Sequence, residues 1–435
     1  MTTPTVPTTE APAAATDVAL DDFPPDPLDI FDPEVRGDPY PRYAALRAQS
    51  PVHYLEADDL YLVSRYDDLM GLLRDPGTFS SKFTQGPQGF RRRTRFNQQM
   101  QQSVMTEQFS GLRILIGTDP PDHTTLRRLV ARPFTPRNIG AREEHIREIT
   151  HGLVDDLVAA RDSDGTADLV RYLTYPLPVI VIAEVLGIPP ERREDFKRWS
   201  DAFVGGFDGN LAEAEMLERR TNMMEMFSYF NEVVEERQAE AVERDDVISM
   251  ILAGTEGEDA KLSVPEVIMF CVLLLVAGNE TTTNLIGNLW NALFEHPDQR
   301  ALLAANPDLA TSAVEEALRF DSPIQALFRI ATRDTDLAGV PVPKDARIMP
   351  LFASGNRDES HYEGADQFLI NRNPTDHMGF GAGIHLCLGA PLARLETRIA
   401  TEVLLERLPG LRPAGEAERN QTNVLRGFRK LPVTW

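Results

Sequence analysis

The chain has 435 residues, 42% of them hydrophobic, enough to bury a large core, and its length alone would allow two or three domains. A formal net charge of −23 at pH 7 argues against a general nucleic-acid binder and against adhesion to anionic membrane. Two cysteines exclude a disulfide scaffold and fit a reducing cytoplasm.

Met1 to Val18 is Thr/Pro/Ala-rich, with neither a basic region nor an apolar core. It reads as neither signal peptide nor membrane anchor, and residues 1–20 are expected to form a disordered tail. Arg42 to Gln49 reads as a short helix entered through Asp38-Pro39-Tyr40-Pro41. Val52 to Leu55 and Tyr61 to Ser64 flank Glu56-Ala57-Asp58-Asp59 as a hairpin, and Tyr66 to Arg74 returns to helical period. Residues 80–117 lack a period and hold Gly86-Pro87, Gly89, the run Arg91-Arg92-Arg93-Thr94-Arg95 and a Gln-rich patch. A long irregular stretch is usually functional. Its arginines suit either an anionic substrate or a solvated loop in an acidic chain.

Asp119-Pro120-Pro121-Asp122-His123 opens a basic helix, Thr124 to Arg132, stopped by Pro133. Helical segments follow at 141–161, 176–187, 190–204 and 211–243. Gly205-Gly206-Phe207-Asp208-Gly209 separates the last two, as a lid hinge or as an ordinary connection. Phe203, Phe207, Met223, Met224 and Met226 are placed to face a ligand, although such residues at helical spacing more often fill core.

Val264 to Glu295 reads as one long helix whose longest apolar run, Val267 to Gly278, is too short to span a bilayer. Its middle, Ala277-Gly278-Asn279-Glu280-Thr281-Thr282-Thr283, suits a buried helix badly: Gly costs about 1 kcal/mol against Ala, and Thr competes for backbone carbonyls. Such a conflict marks a kink or a site. Leu309 to Phe320 is a further helix, carrying Glu316-x-x-Arg319. Short strands are expected from Phe328 to Phe352, and a meander of turns from Gly355 to Asp376. The pattern has no internal repeat and no dividing linker. It predicts a mainly α (α+β) fold over residues 21–435, one large helix-rich domain with small β-sheets at both ends of the chain.

The chemistry concentrates in Phe380-Gly381-Ala382-Gly383-Ile384-His385-Leu386-Cys387-Leu388-Gly389, followed by a helix from Gly389 to about Arg407. Cys387 falls where a tight loop enters a helix N-terminus, and backbone N–H groups there favour a negative sulfur. A thiolate without a second nearby cysteine suits a single soft metal centre. A buried structural cysteine is the plain alternative, and a His-x-Cys zinc pair lacks a second Cys/His pair at zinc spacing.

Phe-Gly-x-Gly-x-His-x-Cys-x-Gly resembles the haem-binding loop of the cytochrome P-450 family, whose iron is held by a Cys thiolate. The likeness runs from about Asp38 to the C-terminus. It implies that family's fold, a haem b cofactor and Cys387 as the metal ligand. It assigns His123, Arg127, Arg329 and His385 to the two haem propionates, and Ala277 to the space above the ring. Glu280 and Thr281 become the catalytic pair that supplies protons for O–O cleavage. Glu316 and Arg319 become a buried pair tied to the meander near Asn356-Arg357-Asp358. Thr125 departs from the family where a basic residue is common, and Ala365 and Leu369 replace its usual Pro and Asp, with Phe368 and Arg372 retained. The implied activity is a cytoplasmic, monomeric haem-thiolate monooxygenase acting on a hydrophobic small molecule and dioxygen. Its pocket would draw on 80–117, 203–211, Ala277, Ile324, Leu327, Phe328 and Leu425. With no flavin or nicotinamide fingerprint, electrons are expected from a ferredoxin-type partner docking on Arg127, Arg128, Arg132, Arg394 and Arg398. The rival readings are a peroxygenase or isomerase, a non-catalytic haem-binding sensor, and a cysteine hydrolase.

Overall fold

A computed structural model describes residues 25–35, 37–82, 112–204, 213–239, 246–253, 262–420 and 422–435. The expected tail, the arginine run and the 205–211 part of the glycine-rich hinge lie outside the described residues.

Most expected helices form within a few residues of their sequence limits. They are Tyr40–Gln49, Tyr66–Arg74, Asp122–Val130, Glu143–Ala159, Pro176–Leu186, Arg193–Val204, Glu213–Ala239, Val264–Glu295, Ala310–Phe320 and Ala390–Arg407. Val247–Ala253 and Pro297–Ala305 are additional. The 32-residue Val264–Glu295 helix runs through the largest core. It begins with a capping box, Ser263 and Glu266 each bonding the other's backbone, which satisfies N–H groups that a helix start leaves open. By length and apolarity it could also cross a membrane; its packing inside the core accounts for both properties.

The Glu213–Ala239 helix shows why methionines at helical spacing rarely face a ligand. Met226 is fully buried among core side chains, whereas Met224 is 67% exposed on the opposite face.

The strands number twelve among the described residues. The hairpin β1 (Val52–Leu55) and β2 (Leu60–Val63) joins a five-stranded sheet that also contains β3 (Phe79–Ser80), β5 (Arg329–Ala331) and β8 (Arg347–Pro350), in the order β1-β2-β8-β5-β3. In the remaining sheets β4 (Ala167–Asp168) pairs with β12 (Pro432–Thr434), which pairs with β9 (Arg412–Pro413). Separate hairpins join β6 (Thr335–Leu337) to β7 (Val340–Val342), and β10 (Glu418–Arg419) to β11 (Phe428–Lys430). The sheet sets Arg329 on β5 directly after the helix that carries Arg319, and β11 lays the C-terminal segment against the long helix.

The meander from Gly355 to Asp376 has almost no regular structure, and one buried pair organises it. Arg319 forks onto Glu316 with two 2.8 Å bonds, and both side chains are 0% exposed. Its remaining N–H groups reach the carbonyls of Asn356 (2.9 Å), Ala365 (2.7 Å) and Gln367 (2.8 Å). Glu316 also accepts from the Leu369 backbone N–H at 2.8 Å and from Arg372 at 3.3 Å. The meander is therefore held through backbone atoms at Ala365 and Leu369. The two departures from the family pattern leave its geometry intact for that reason.

Candidate active site

The cysteine loop is shaped by glycines at two positions. Gly381 and Gly383 have φ of +70° and +68°, and a Cβ on Gly383 would lie 2.2 Å from the Leu73 carbonyl oxygen. The loop is thus pressed onto the end of the Tyr66–Arg74 helix. The Cys387 N–H closes it on Phe380 O at 2.9 Å. A mechanical chain runs back to the buried pair: Asn356, whose carbonyl binds Arg319, accepts the Met378 N–H on its side chain at 2.6 Å. On the other side Glu315 accepts from Arg394 at 2.6 Å and meets His377 at 3.0 Å, tying the cysteine helix to the Ala310–Phe320 helix.

Cys387 is exposed by surface area although it lies deep in the protein, so its sulfur faces an internal space. Desolvation raises its thiol pKa. The N–H groups of Gly389 and Ala390 and the charges of Arg127 and Arg394 pull the other way without overcoming it. The backbone N–H groups at the helix start do pull toward a negative sulfur, as expected from the sequence, and burial is the larger opposing effect. A coordinating metal deprotonates such a thiol outright.

Beside the sulfur the structure gathers the predicted arginine and histidine donors. The His123 and His385 rings stand 4.3 Å apart, and Arg127 donates to Leu386 O at 2.6 Å. Desolvation, then Arg329, His123 and Arg127, push the His385 pKa down to about 3. Desolvation brings buried Arg329 down to about 10, although Asp119 opposes the shift; its guanidinium bonds the Phe328 carbonyl at 2.7 Å. The Nε2 atom of His123 is buried and has no hydrogen-bond partner. A cluster of four donors with an orphaned nitrogen and a desolvated guanidinium is built for anionic groups, and the two propionates of a haem fit that requirement. Two neighbours escaped the sequence reading: Ser81 Oγ at 2.8 Å from His385 Nε2, and Asp119, which binds Ser80 and Ser81. Ser81 carries no local sequence signal, since the strand β3 that leads to it has two residues, and Asp119 reads in sequence only as part of a helix start.

On the long helix Ala277 is exposed although much of the helix is buried, so open space adjoins it. One turn on, the Thr281 hydroxyl donates to Ala277 O at 2.7 Å. Glu280 Oε1 accepts from Asn420 at 3.3 Å and from Asn284 at 3.5 Å. Asn279, between them and fully buried, donates to Ser200 Oγ at 2.9 Å and so pins the polar break to the Arg193–Val204 helix. Of the proposed docking arginines, Arg128 and Arg132 are exposed. Arg394 and Arg398 instead pair with Glu315 (2.6 Å) and with Glu143 (2.8 Å) and Glu402 (2.9 Å), so they contribute less free charge than expected. No cluster of three or more His, Cys, Asp or Glu side chains that could hold a metal ion occurs among the described residues.

A helix-rich fold with one cysteine at a glycine loop, arginine and histidine donors beside it and a glutamate and threonine side by side on the long helix is the arrangement that the resemblance to haem-thiolate enzymes leads one to expect. The Cytochrome P-450 family model matches residues 89–426, and the chain belongs to that family. It is 38% identical over 408 residues to the cytochrome P-450 monooxygenase PikC of Streptomyces venezuelae, covering 92% of this chain and 91% of the relative. It is also 38% identical to the vitamin D(3) 25-hydroxylase of Pseudonocardia autotrophica, covering 93% and 96%. The crystal structure of the myxobacterial CYP267B1 in complex with myristic acid superposes with a TM-score of 0.82 at 34% identity, over 93% of this chain and 98% of that one. The protein is accordingly an oxidoreductase of the monooxygenase type, with haem iron as its cofactor.

Proposed function

We propose that the protein inserts one atom of dioxygen into a hydrophobic small molecule by hydroxylation or epoxidation, using haem b and electrons from a separate ferredoxin and reductase. The observation that carries this reading is the cage of two arginines, Arg127 and Arg329, and two neutral histidine donors, His123 and His385, beside the accessible Cys387 sulfur. Cys387 would ligate the iron, and the two guanidiniums and two imidazoles would take the propionates. Thiolate-held haem supplies the oxygen activation.

The chain supplies a shaped apolar space and protons. Ala277, Leu327 and Ile324 present apolar surface that is not fully buried, the last bridged to Leu425 on the C-terminal segment. Such a lining favours lipid-like substrates, in keeping with the vitamin D(3) and myristic acid named for two relatives. Heterolytic O–O cleavage consumes two protons. Thr281 commits its own proton to Ala277 O, so its oxygen is left to accept. Glu280 is the adjacent acid that resupplies it. We place the protein in the cytoplasm as a monomer, with its electron donor docking near Arg128 and Arg132.

The reduced, CO-bound spectrum of the purified protein tests the core of this reading, and a colourless protein after haem reconstitution overturns it. Product formed with ferredoxin and reductase supports the monooxygenase; product formed with peroxide alone supports a peroxygenase instead. Charge reversal at Arg128 and Arg132 should slow reduction and spare substrate binding, and unchanged reduction removes the docking assignment.

A further inference from the structure

We propose that Asn420, from the hairpin near the C-terminus, is the positioning residue for Glu280. The proposal rests on the reading of Glu280 as the proton-supplying acid.

The two residues lie 140 positions apart, and the Asn420 Nδ2 group reaches Glu280 Oε1 at 3.3 Å. The same Nδ2 group meets Asn284 Oδ1 at 3.1 Å, and Asn284 Nδ2 approaches Glu280 Oε1 at 3.5 Å. A carboxylate only accepts, so both amides must turn their NH2 groups toward it, and this arrangement of the three side chains is self-consistent. The hairpin fixes where Asn420 stands. The Asn420 N–H bonds Gly427 O at 3.1 Å, and Gly427 presses on Asn284 so closely that a Cβ would fall 1.9 Å from Asn284 Oδ1. Asn284 itself is 1% exposed and cannot retreat into solvent. The glycine is therefore required by space, and it brings the hairpin within reach of the acid.

Asn420 also stands in the wall of a small cavity of about 20 Å³, with Tyr43, Gln325, Thr422 and Arg426. A polar space of that size holds about one water. Asn420 thus has the acid on one side and a polar space on the other. It holds the Glu280 carboxylate where a proton arriving from solvent can be taken up. The proton rests on Glu280 and then leaves toward Thr281, which returns the carboxylate to its hold. The bonds at 3.3 and 3.5 Å are long, which suits a hold that must be released in each cycle.

The test uses the haem-loaded full chain supplied with a ferredoxin and its reductase. The ratio of hydrogen peroxide to water formed from the dioxygen consumed, with the reductase supplying two electrons for peroxide and four for water, reports failed proton delivery without requiring a known substrate. Asn420→Ala should raise that ratio roughly threefold, the scale set by one lost hydrogen bond, and Asn420→Gln, which keeps the NH2 donor, should restore part of the difference. A second readout is independent of turnover: the infrared carboxyl band of Glu280, isolated by difference against Glu280→Gln, should shift in Asn420→Ala. Should Asn420→Ala fail to retain haem, Asn420→Ser keeps a small donor in the hairpin and takes the same two measurements. Glu280→Gln that raises peroxide release, while the Asn420 variants leave both peroxide and band unchanged, overturns this proposal alone. Glu280→Gln with wild-type peroxide release overturns the reading of Glu280 itself.

Discussion

Replacing Arg319 by Ala should abolish the haem-loaded protein, and the structure sets the scale. The substitution leaves Glu316 as a charge at 0% exposure without its fork, which costs about 3–5 kcal/mol for a broken buried pair. It also strands the carbonyls of Asn356, Ala365 and Gln367, at about 1 kcal/mol each by the lower estimate for an unsatisfied buried group. Together these losses are on the order of the 5–15 kcal/mol that holds a typical domain. They fall on the segment that positions Met378 and the cysteine loop. Arg372 offers only a partial substitute, since it already bonds Glu316 at 3.3 Å and spends its other donors on Glu363 and Gly364 carbonyls. Glu316→Gln should cost less only in that the three carbonyls keep Arg319 and the Leu369 N–H keeps an acceptor; it still leaves the Arg319 guanidinium charged at 0% exposure without its carboxylate. The assay is haem content after purification, with urea midpoints for any variant that survives. Arg319→Ala purifying with full haem and an unchanged midpoint would refute the idea that the meander hangs on this guanidinium.

Arg329→Ala should accelerate haem loss to a scavenger protein by about 10-fold or more, the scale of one hydrogen bond to a charged group, and a wild-type rate would remove Arg329 from the cage. Gly383→Ala should retain little haem, because the new Cβ must move away from Leu73 O and the residue must keep a φ of +68°; this is read from haem stoichiometry. Acid should weaken the site along a defined path. Desolvation works to raise the pKa of Glu315 and Glu266, yet Arg394 and His377, and Arg113 and Ser263, bring each to about 2. Folded values below the unfolded ones mean that both groups stabilise fully above the ordinary glutamate range and lose that contribution as pH falls toward 2. Glu315→Gln should flatten the fall in thermal midpoint between about pH 5 and pH 3, and an unchanged slope would show that the pair carries no such linkage.

What the sequence made legible was local. The long helix announces itself through its apolar period, and the cysteine helix through the glycine loop before it, whereas the Ser263–Glu266 capping box emerges from the structure. The Pro297–Ala305 helix was missed although Pro297 and Asp298 are ordinary start signals. Val247–Ala253, at seven residues, is too short to show a period. The meander has no period to read because its order comes from Arg319 bonding backbone carbonyls. Family resemblance named the candidate site residues, and the geometry shows what each of them touches. Arg394 and Arg398 turned out to brace neighbouring helices, and at Cys387 burial pushes the thiol pKa up against the pull of the helix-start amides and two arginines.

The same distinction explains why the acid on the long helix needed the structure to be understood. Sequence places Glu280 beside Thr281, one residue apart on a helix, where successive side chains point in different directions. Adjacency in sequence therefore does not aim the carboxylate. What aims it here is a hairpin 140 residues further on, admitted to the helix surface only because residue 427 is glycine. Gly427→Ala should thus disturb Glu280 without touching it: the Cβ displaces Asn284, and the pair of amides loses its register. Peroxide release should rise with the haem-thiolate spectrum retained. Unchanged release from a folded Gly427→Ala protein would mean that Glu280 finds its orientation without the hairpin.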